Sequence, residues 1–177
     1  MGICKRQMIF EHIKNYLSKE NEDKLEDLLK QPYFPWYWYP TTAHTEWEPN
    51  QKSFFQHHVY LSGDSRSDLY PIIMDMFKFE EFETHKLNRI KANLYIKHHN
   101  RELIRPHMDL NGKGGITYIY YPETSDGPTR FYIDDEVIEV DPVKGDMIKF
   151  DTRILHTSDV PREYERRTCI NFVFELP

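Results

Sequence analysis

Cysteine is almost missing from this chain of 177 residues: Cys4 and Cys169 stand near its two ends and form no short-spaced pair. That excludes a disulfide scaffold and a zinc knuckle, and it fits a reducing, cytoplasmic setting. Long apolar runs are missing too. No stretch approaches the ~18 residues needed to span a bilayer, and Met1-Gly2-Ile3-Cys4-Lys5-Arg6 lacks the apolar centre of a secretory signal. A soluble protein with no membrane partner is expected. Gly2 is not read as a myristoylation site, because Arg6 occupies the position where Ser or Thr is usual. Positive charge is in deficit as well. With a net charge of -6 the chain is a poor candidate for living on phosphate backbones, since such binding runs on Lys and Arg displacing counterions. Nucleic acid is therefore an unexpected partner, and oligomeric state is not legible.

What the chain has is aromatic mass. Its 12 Tyr, 11 Phe and 3 Trp offset folding entropy despite a mean hydropathy of -0.74. The length suits one compact domain. Apolar residues at helical spacing over residues 8–19, namely Ile9, Ile13, Tyr16 and Leu17, predict a helix, and Leu25, Leu28 and Leu29 predict a second one stopped at Gln31-Pro32. The proline-punctuated run Tyr33-Phe34-Pro35-Trp36-Tyr37-Trp38-Tyr39-Pro40 predicts a partly extended segment whose rings pack the core and anchor a loop, in preference to a substrate platform. Residues 54–61 read as a strand, and Ser65 or Ser67 as the cap of a helix carrying Ile72, Ile73, Met76 and Phe77.

From residue 89 the period changes from helical to two. Segments 89–97, 115–121, 129–133, 136–140, 147–151 and 167–174 follow one another, separated by turns such as Ser125-Asp126-Gly127-Pro128 and Lys144-Gly145-Asp146. Helices followed by a run of strands predict a mainly β single domain with flanking helices, a sandwich or jelly roll. Residues 1–88 would form its helical and aromatic support, and residues 89–177 its core. Strand parity adds detail. In 89–97 one face carries Ile90, Ala92, Leu94 and Ile96, the other Lys91, Asn93 and Tyr95; in 167–174 one face carries Thr168, Ile170, Phe172 and Phe174, the other Arg167, Cys169, Asn171 and Val173. In an ordinary half-exposed sheet the polar faces would look at water.

The pattern His107-Met108-Asp109 argues otherwise. On an extended chain it aims an imidazole and a carboxylate at one point, as two ligands of one metal require. His-x-Asp alone is common by chance. The third ligand is His156, just beyond segment 147–151 on its short continuation. Two imidazoles and one carboxylate on one face of an octahedral ion leave positions for a bidentate co-substrate and dioxygen, the arrangement of non-haem Fe(II) oxygenases. Arg167 offers a fork for the far carboxylate of a dicarboxylate. Arg166 competes for that role, but it shares its face with Ile170 and Phe172, whereas Arg167 lies with Cys169 and Asn171. The pairs His57-His58 and His98-His99 point to opposite faces on a strand and read as surface features, and His44-Thr45-Glu46 has no later partner.

The ordered set His107-x-Asp109, Ser125-Asp126-Gly127-Pro128-Thr129-Arg130-Phe131, Gly145-Asp146-Met147-Ile148-Lys149-Phe150-Asp151, His156 and Arg167-Thr168-Cys169-Ile170-Asn171-Phe172 resembles the 2-oxoglutarate/Fe(II)-dependent dioxygenase superfamily. Within it the layout is most similar to the prolyl 4-hydroxylase-like branch, and Arg89-Ile90-Lys91-Ala92-Asn93-Leu94-Tyr95 is similar to small stand-alone phage enzymes. The likeness covers residues 89–177. It implies a double-stranded β-helix (jelly roll, cupin-like) in which His107, Asp109 and His156 bind iron and Arg167 binds the C5 carboxylate of 2-oxoglutarate. Tyr95 and Tyr121 stand where similar enzymes turn tyrosines toward the co-substrate, with Asn93, Ile119 and Cys169 beside them; ordinary packing is the alternative for Tyr121. The spacing from His156 to Arg167 is slightly long for the family, and Asp126-Gly127 replaces a familiar Gly-Gly.

The implied reaction couples oxidative decarboxylation of 2-oxoglutarate by dioxygen, with ascorbate as a supporting reductant, to hydroxylation of a C–H bond. A peptidyl proline, or a free amino acid or other small metabolite, would be the substrate. The rival class is a cupin-type isomerase or binding module, which would need the three ligands but not the arginine. Arg167→Ala is expected to weaken 2-oxoglutarate binding by roughly ten-fold or more, as loss of a charge-assisted pair does, and Arg166→Ala to change it little; equilibrium titration of the two variants decides, and the reverse order would put the parity off by one.

Overall fold

The computed structural model describes residues 9–40, 53–98 and 105–177. Cys4, Gly2, His44-Thr45-Glu46 and His99 lie outside the described residues. In chain order the elements are β1 (Phe10–Ile13), α1 (Lys19–Lys30), β2 (Tyr37–Tyr39), β3 (Phe54–Leu61), β4 (Asp64–Ser65), α2 (Leu69–Met76), β5 (Lys86–Ile96), β6 (Gly115–Tyr120), β7 (Thr129–Ile133), β8 (Glu136–Val140), β9 (Met147–Asp151), β10 (Leu155–Ser158) and β11 (Arg166–Glu175). The major antiparallel sheet runs β1-β9-β6-β11-β5-β3-β2, with β4 paired to β3; the minor sheet runs β10-β7-β8. This is the expected mainly β jelly roll with two flanking helices.

The period-two segments become strands within a residue or three of their expected ends. The first expected helix does not form. Residues 10–13 are instead an edge strand in register with β9, Phe10 opposite Phe150 and Ile13 opposite Met147. Tertiary context overrides the local helical spacing here. Asp146 is buried at the foot of β9 and accepts from His12 Nε2 at 2.8 Å and Lys14 Nζ at 2.6 Å, tying the edge strand in place. The second helix is α1, capped by the Ser18 hydroxyl, with Leu25 and Leu29 buried. Ser67 accepts from the Leu69 amide at 3.1 Å at the start of α2. The part before residue 89 is thus more than helical support: four strands of the major sheet come from it.

Two cores divide the major sheet. Its outer face, with Ile90, Ala92, Tyr118, Tyr120, Ile170, Phe172 and Phe174, packs against Leu25, Leu29, Ile73 and Phe77 from the helices and their loops. Its inner face, with Tyr95, Ile119 and Cys169, shares a second cluster with Phe131 and Val140 of the minor sheet. Both faces being covered, the polar parity rows of β5 and β11 turn toward the interior and not to water. The aromatic run divides: Phe34 and Trp36 pack on the outer core, while Tyr33, Tyr37 and Trp38 are exposed. The His57-His58 pair is not a surface feature. His57 is buried between Pro35 and Ser67, with ring nitrogens 3.0 Å from the Pro35 carbonyl oxygen and 2.7 Å from Ser67 Oγ, because β3 is an inner strand between β2 and β5.

Gly115 opens β6 where β11 passes closest; a Cβ there would fall onto the Phe174 carbonyl oxygen, which is backbone in a paired strand and cannot give way. Gly115→Ala is expected to cost about 1–3 kcal/mol of stability, as overpacking does, read as a lower denaturant midpoint with an unchanged slope.

Candidate metal centre

His107, Asp109 and His156 converge: one ligand atom from each lies within 4.8 Å of the others. The backbone does much of this. His107 and His156 exchange both hydrogen bonds, N–H to O at 2.9 Å in each direction, as an isolated antiparallel bridge that sets their rings 4.5 Å apart. Met108 between the two is extended (φ -108°, ψ 144°), so Asp109 returns to the side of His107. The chain then turns through left-handed Leu110, Asn111 and Gly112 into β6. His156 does not lie on a continuation of β9. The chain turns after Asp151, and His156 sits on β10 of the minor sheet, facing the opposite wall.

The donor set fits a divalent metal. The His156 Nδ1–H donates to the Ile154 carbonyl at 3.0 Å, which leaves Nε2 with a free lone pair 3.9 Å from Asp109 Oδ2. His107 Nδ1 is buried with no partner among the described residues. Burial, reinforced by the neighbouring His156, pushes the His107 imidazole down to about 3, so it is neutral and ligand-competent at neutral pH. Asp109 is buried, which by itself would favour its protonated form; the Arg89 guanidinium, the two imidazoles and Thr117 outweigh this and hold its carboxyl well below the usual carboxylate range. Arg89 Nη2 donates to Oδ1 at 2.7 Å and Thr117 Oγ1 to Oδ2 at 2.8 Å.

The pocket beside these groups is lined by Arg89, Lys91, Asn93 and Tyr95 from β5, Ile119 from β6, Ser158 from β10, Cys169 and Asn171 from β11, and Phe54 from β3. Asn93, Tyr95, Ile119 and Cys169, singled out from the sequence, are therefore together. Asn93 Nδ2 donates to Asn171 Oδ1 at 3.1 Å across the β5–β11 pair. Arg167 is fully buried behind Cys169, its guanidinium carbon 5.2 Å from the Tyr95 ring centroid and 5.7 Å from that of Tyr121. It donates to the Gly127 carbonyl and to Thr129 Oγ1, both at 2.7 Å, and the Tyr121 hydroxyl shares Thr129 at 2.7 Å. Burial pushes the Tyr121 phenol up to about 12. Among the described residues no carboxylate pairs with Arg167. Arg166, by contrast, turns out to Glu123 at 3.1 Å.

Sequence reasoning missed Arg89, Thr117, Thr129 and Phe54. Arg89 has the parity of Lys91, Asn93 and Tyr95, and Thr117 that of Ile119 and Tyr121, so the same argument could have found both. Phe54 belongs to a strand whose register with β5 no local pattern discloses.

No protein-family model and no curated protein sequence matches the chain. Solved structures do. A 2OG-Fe(II) oxygenase family oxidoreductase from Burkholderia pseudomallei is similar with a TM-score of 0.70 at 11% identity, over 97% of this chain and 86% of that one. A prolyl-4-hydroxylase from Pseudomonas putida is similar with a TM-score of 0.63 at 14% identity, over 94% and 92%. A prolyl hydroxylase from Trichoplax adhaerens, solved with a peptide of hypoxia inducible factor, gives 0.64 at 14% identity, over 94% and 83%. The chain has the fold of the 2OG-Fe(II) oxygenases, and its His-Asp-His cluster fits that fold. Among the described residues no helix is long and apolar enough to cross a membrane.

Arg89 is the charge that keeps Asp109 ionised in the metal-free protein. Asp109 lies below its ordinary 3.8 when folded, so its contribution to stability is full above that pH and is lost as pH falls. Arg89→Met is expected to lower metal-free stability by about 2–3 kcal/mol at neutral pH, because it strands a buried carboxylate, with the gap to the unsubstituted protein closing as the pH of the denaturation series drops below 3.8.

Proposed function

We propose that this protein is a 2-oxoglutarate-dependent Fe(II) oxygenase, with His107, Asp109 and His156 as metal ligands and Arg167 as the anchor of the co-substrate's distal carboxylate. The observation that carries the reading is Arg167: a guanidinium buried to 0% exposure, with no carboxylate partner among the described residues, behind the pocket that holds the three ligands. A buried charge of this kind costs several kcal/mol unless an anion meets it. A cupin-type isomerase or binding module would have no use for it.

Each side chain then has a task. Fe(II), when bound, supplies the oxidative chemistry by which 2-oxoglutarate and dioxygen are converted to succinate and CO2 while a substrate C–H bond is hydroxylated. Asp109 provides the anionic ligand and keeps its charge through Arg89 and Thr117. His156 presents Nε2 because its Nδ1–H donates to the Ile154 carbonyl. Tyr121 and Thr129 hold the guanidinium fork in one orientation, so that a dicarboxylate gripped at one end is aimed at the ligands at the other. Tyr95 and Phe54, stacked at 5.5 Å, wall the pocket and exclude water. A peptide, as for the Trichoplax enzyme, or a small amino-acid-like metabolite is the substrate; an acidic chain with net charge -6 does not suit nucleic acid.

Purified protein with Fe(II), 2-oxoglutarate and ascorbate is expected to release succinate slowly without substrate, and Asp109→Ala and His156→Ala to abolish that release while remaining folded by circular dichroism. No succinate above a metal-free control, or full turnover in either variant, would remove the proposal.

A further inference from the structure

The inner face of β5 carries Arg89, Lys91, Asn93 and Tyr95 in a row along the pocket. Three of the four have a partner. Arg89 neutralises Asp109 at 2.7 Å, Asn93 is bonded to Asn171 at 3.1 Å, and Tyr95 lies over Arg167. Lys91 has none. It lines the same pocket as the three candidate ligands, opposite Asn171 on one side and His58 on the other, and its ammonium has no hydrogen-bond partner among the described residues. The carboxylate that acts on it, Asp109, is already held by Arg89 and Thr117. Burial, and then the like charge of Arg89, push its amine down to about 7.

Around Lys91 other donors are idle. Arg89 Nε and His58 Nδ1 are buried with no partner among the described residues. His58 reaches Gln56 at 2.9 Å only through Nε2, and burial together with Lys91 and Arg89 pushes its imidazole down to about 4. Charge counting points the same way. A divalent metal with the guanidinium groups of Arg89 and Arg167 brings four positive charges; Asp109 and a dianionic co-substrate bring three negative ones. The site is one positive charge in excess before Lys91 adds another. Lys91 is half-buried, so only water meets its ammonium in the empty pocket, and a carboxylate that displaces this water offsets the excess charge. An ammonium flanked by one spare guanidinium N–H and an imidazole matches a monoanionic carboxylate; a phosphate dianion would call for more donors.

We infer that Lys91 captures a carboxylate of the substrate beside the metal centre, so that the oxygenase acts on a carboxylate-bearing molecule. This rests on the oxygenase reading above. Lys91 is thus a specificity residue: it fixes one end of the substrate on the β5 wall, and the carbon to be oxidised is the one that reaches the ligands from there.

The test uses the 177-residue chain loaded with Mn(II) and 2-oxoglutarate without dioxygen, at constant ionic strength, with acetate, propionate and benzoate as probes and acetamide, propionamide and benzamide as their uncharged counterparts. The readouts are the thermal midpoint and the apparent dissociation constant derived from it. The carboxylates are expected to raise the midpoint of the unsubstituted protein and the amides not to. Lys91→Met should weaken the carboxylates by roughly ten- to hundred-fold, the range for a hydrogen bond to a charged group. It should also leave 2-oxoglutarate affinity in place and give a metal-free midpoint no lower than the original. Lys91→Gln serves as the second variant if the first does not fold. Equal responses to carboxylates and amides, or a preference that survives in the variant, overturn the inference alone. Loss of 2-oxoglutarate affinity in Lys91→Met overturns it by assigning Lys91 to the co-substrate. Failure of 2-oxoglutarate to bind the unsubstituted protein overturns the oxygenase reading and this one with it.

Discussion

The pairing of β5 with β11 is the constraint on which the rest of the molecule depends. Its register sets Tyr95 against Arg167, Asn93 against Cys169 and Lys91 against Asn171, so apart from Val173, opposite Arg89, the inward row of the two strands carries polar, thiol or aromatic side chains. A sheet exposed on one side would send such a row to solvent. Here α1, α2 and their loops cover the outer face, the minor sheet faces the inner one, and the row becomes the wall of a pocket. The apolar rows of the same strands, Ile90 and Ala92 with Ile170 and Phe172, supply the burial that holds this arrangement together.

Three basic side chains on that wall, against the single carboxylate of Asp109 beside it, leave the empty pocket electrostatically unbalanced. Only the Arg89–Asp109 pair is internally compensated. Arg167 is softened by two aromatic faces and by three acceptors, the Gly127 carbonyl, Thr129 Oγ1 and Cys169 Sγ, which reduce the penalty without cancelling the charge. Proteins keep such groups where a ligand completes them, and the local instability is the mark of a binding site.

How much of this was legible in the sequence follows from what kind of signal each feature leaves. Period-two alternation in β5, β7, β8, β9 and β11 comes from side-chain direction alone, so their extents and facing rows could be read directly. The His-Asp-His set came from residue chemistry and order. The first segment failed because Ile9, Ile13, Tyr16 and Leu17 carry helical spacing although residues 10–13 gain more by pairing with β9, a partner far away in the chain. His156 could be named but not placed: the turn after Asp151 that carries it into the minor sheet depends on local hydrogen bonds, such as Ile154 N–H to the Asp151 carbonyl at 2.9 Å, which leave no periodic trace. Arg89 was within reach of the parity argument, whereas the contribution of β3 to the pocket was not.

The reciprocal bond between His107 and His156 joins the segment that carries Asp109 to the minor sheet, while Asp109 itself is fastened to Arg89 and Thr117 of the major one. An ion shared by these three side chains would therefore span both halves of the sandwich and act as a rivet between them. Filling the centre and stiffening the molecule would be a single event, and the slowing of amide exchange at residues 107 and 156 would report occupancy as directly as any spectrum.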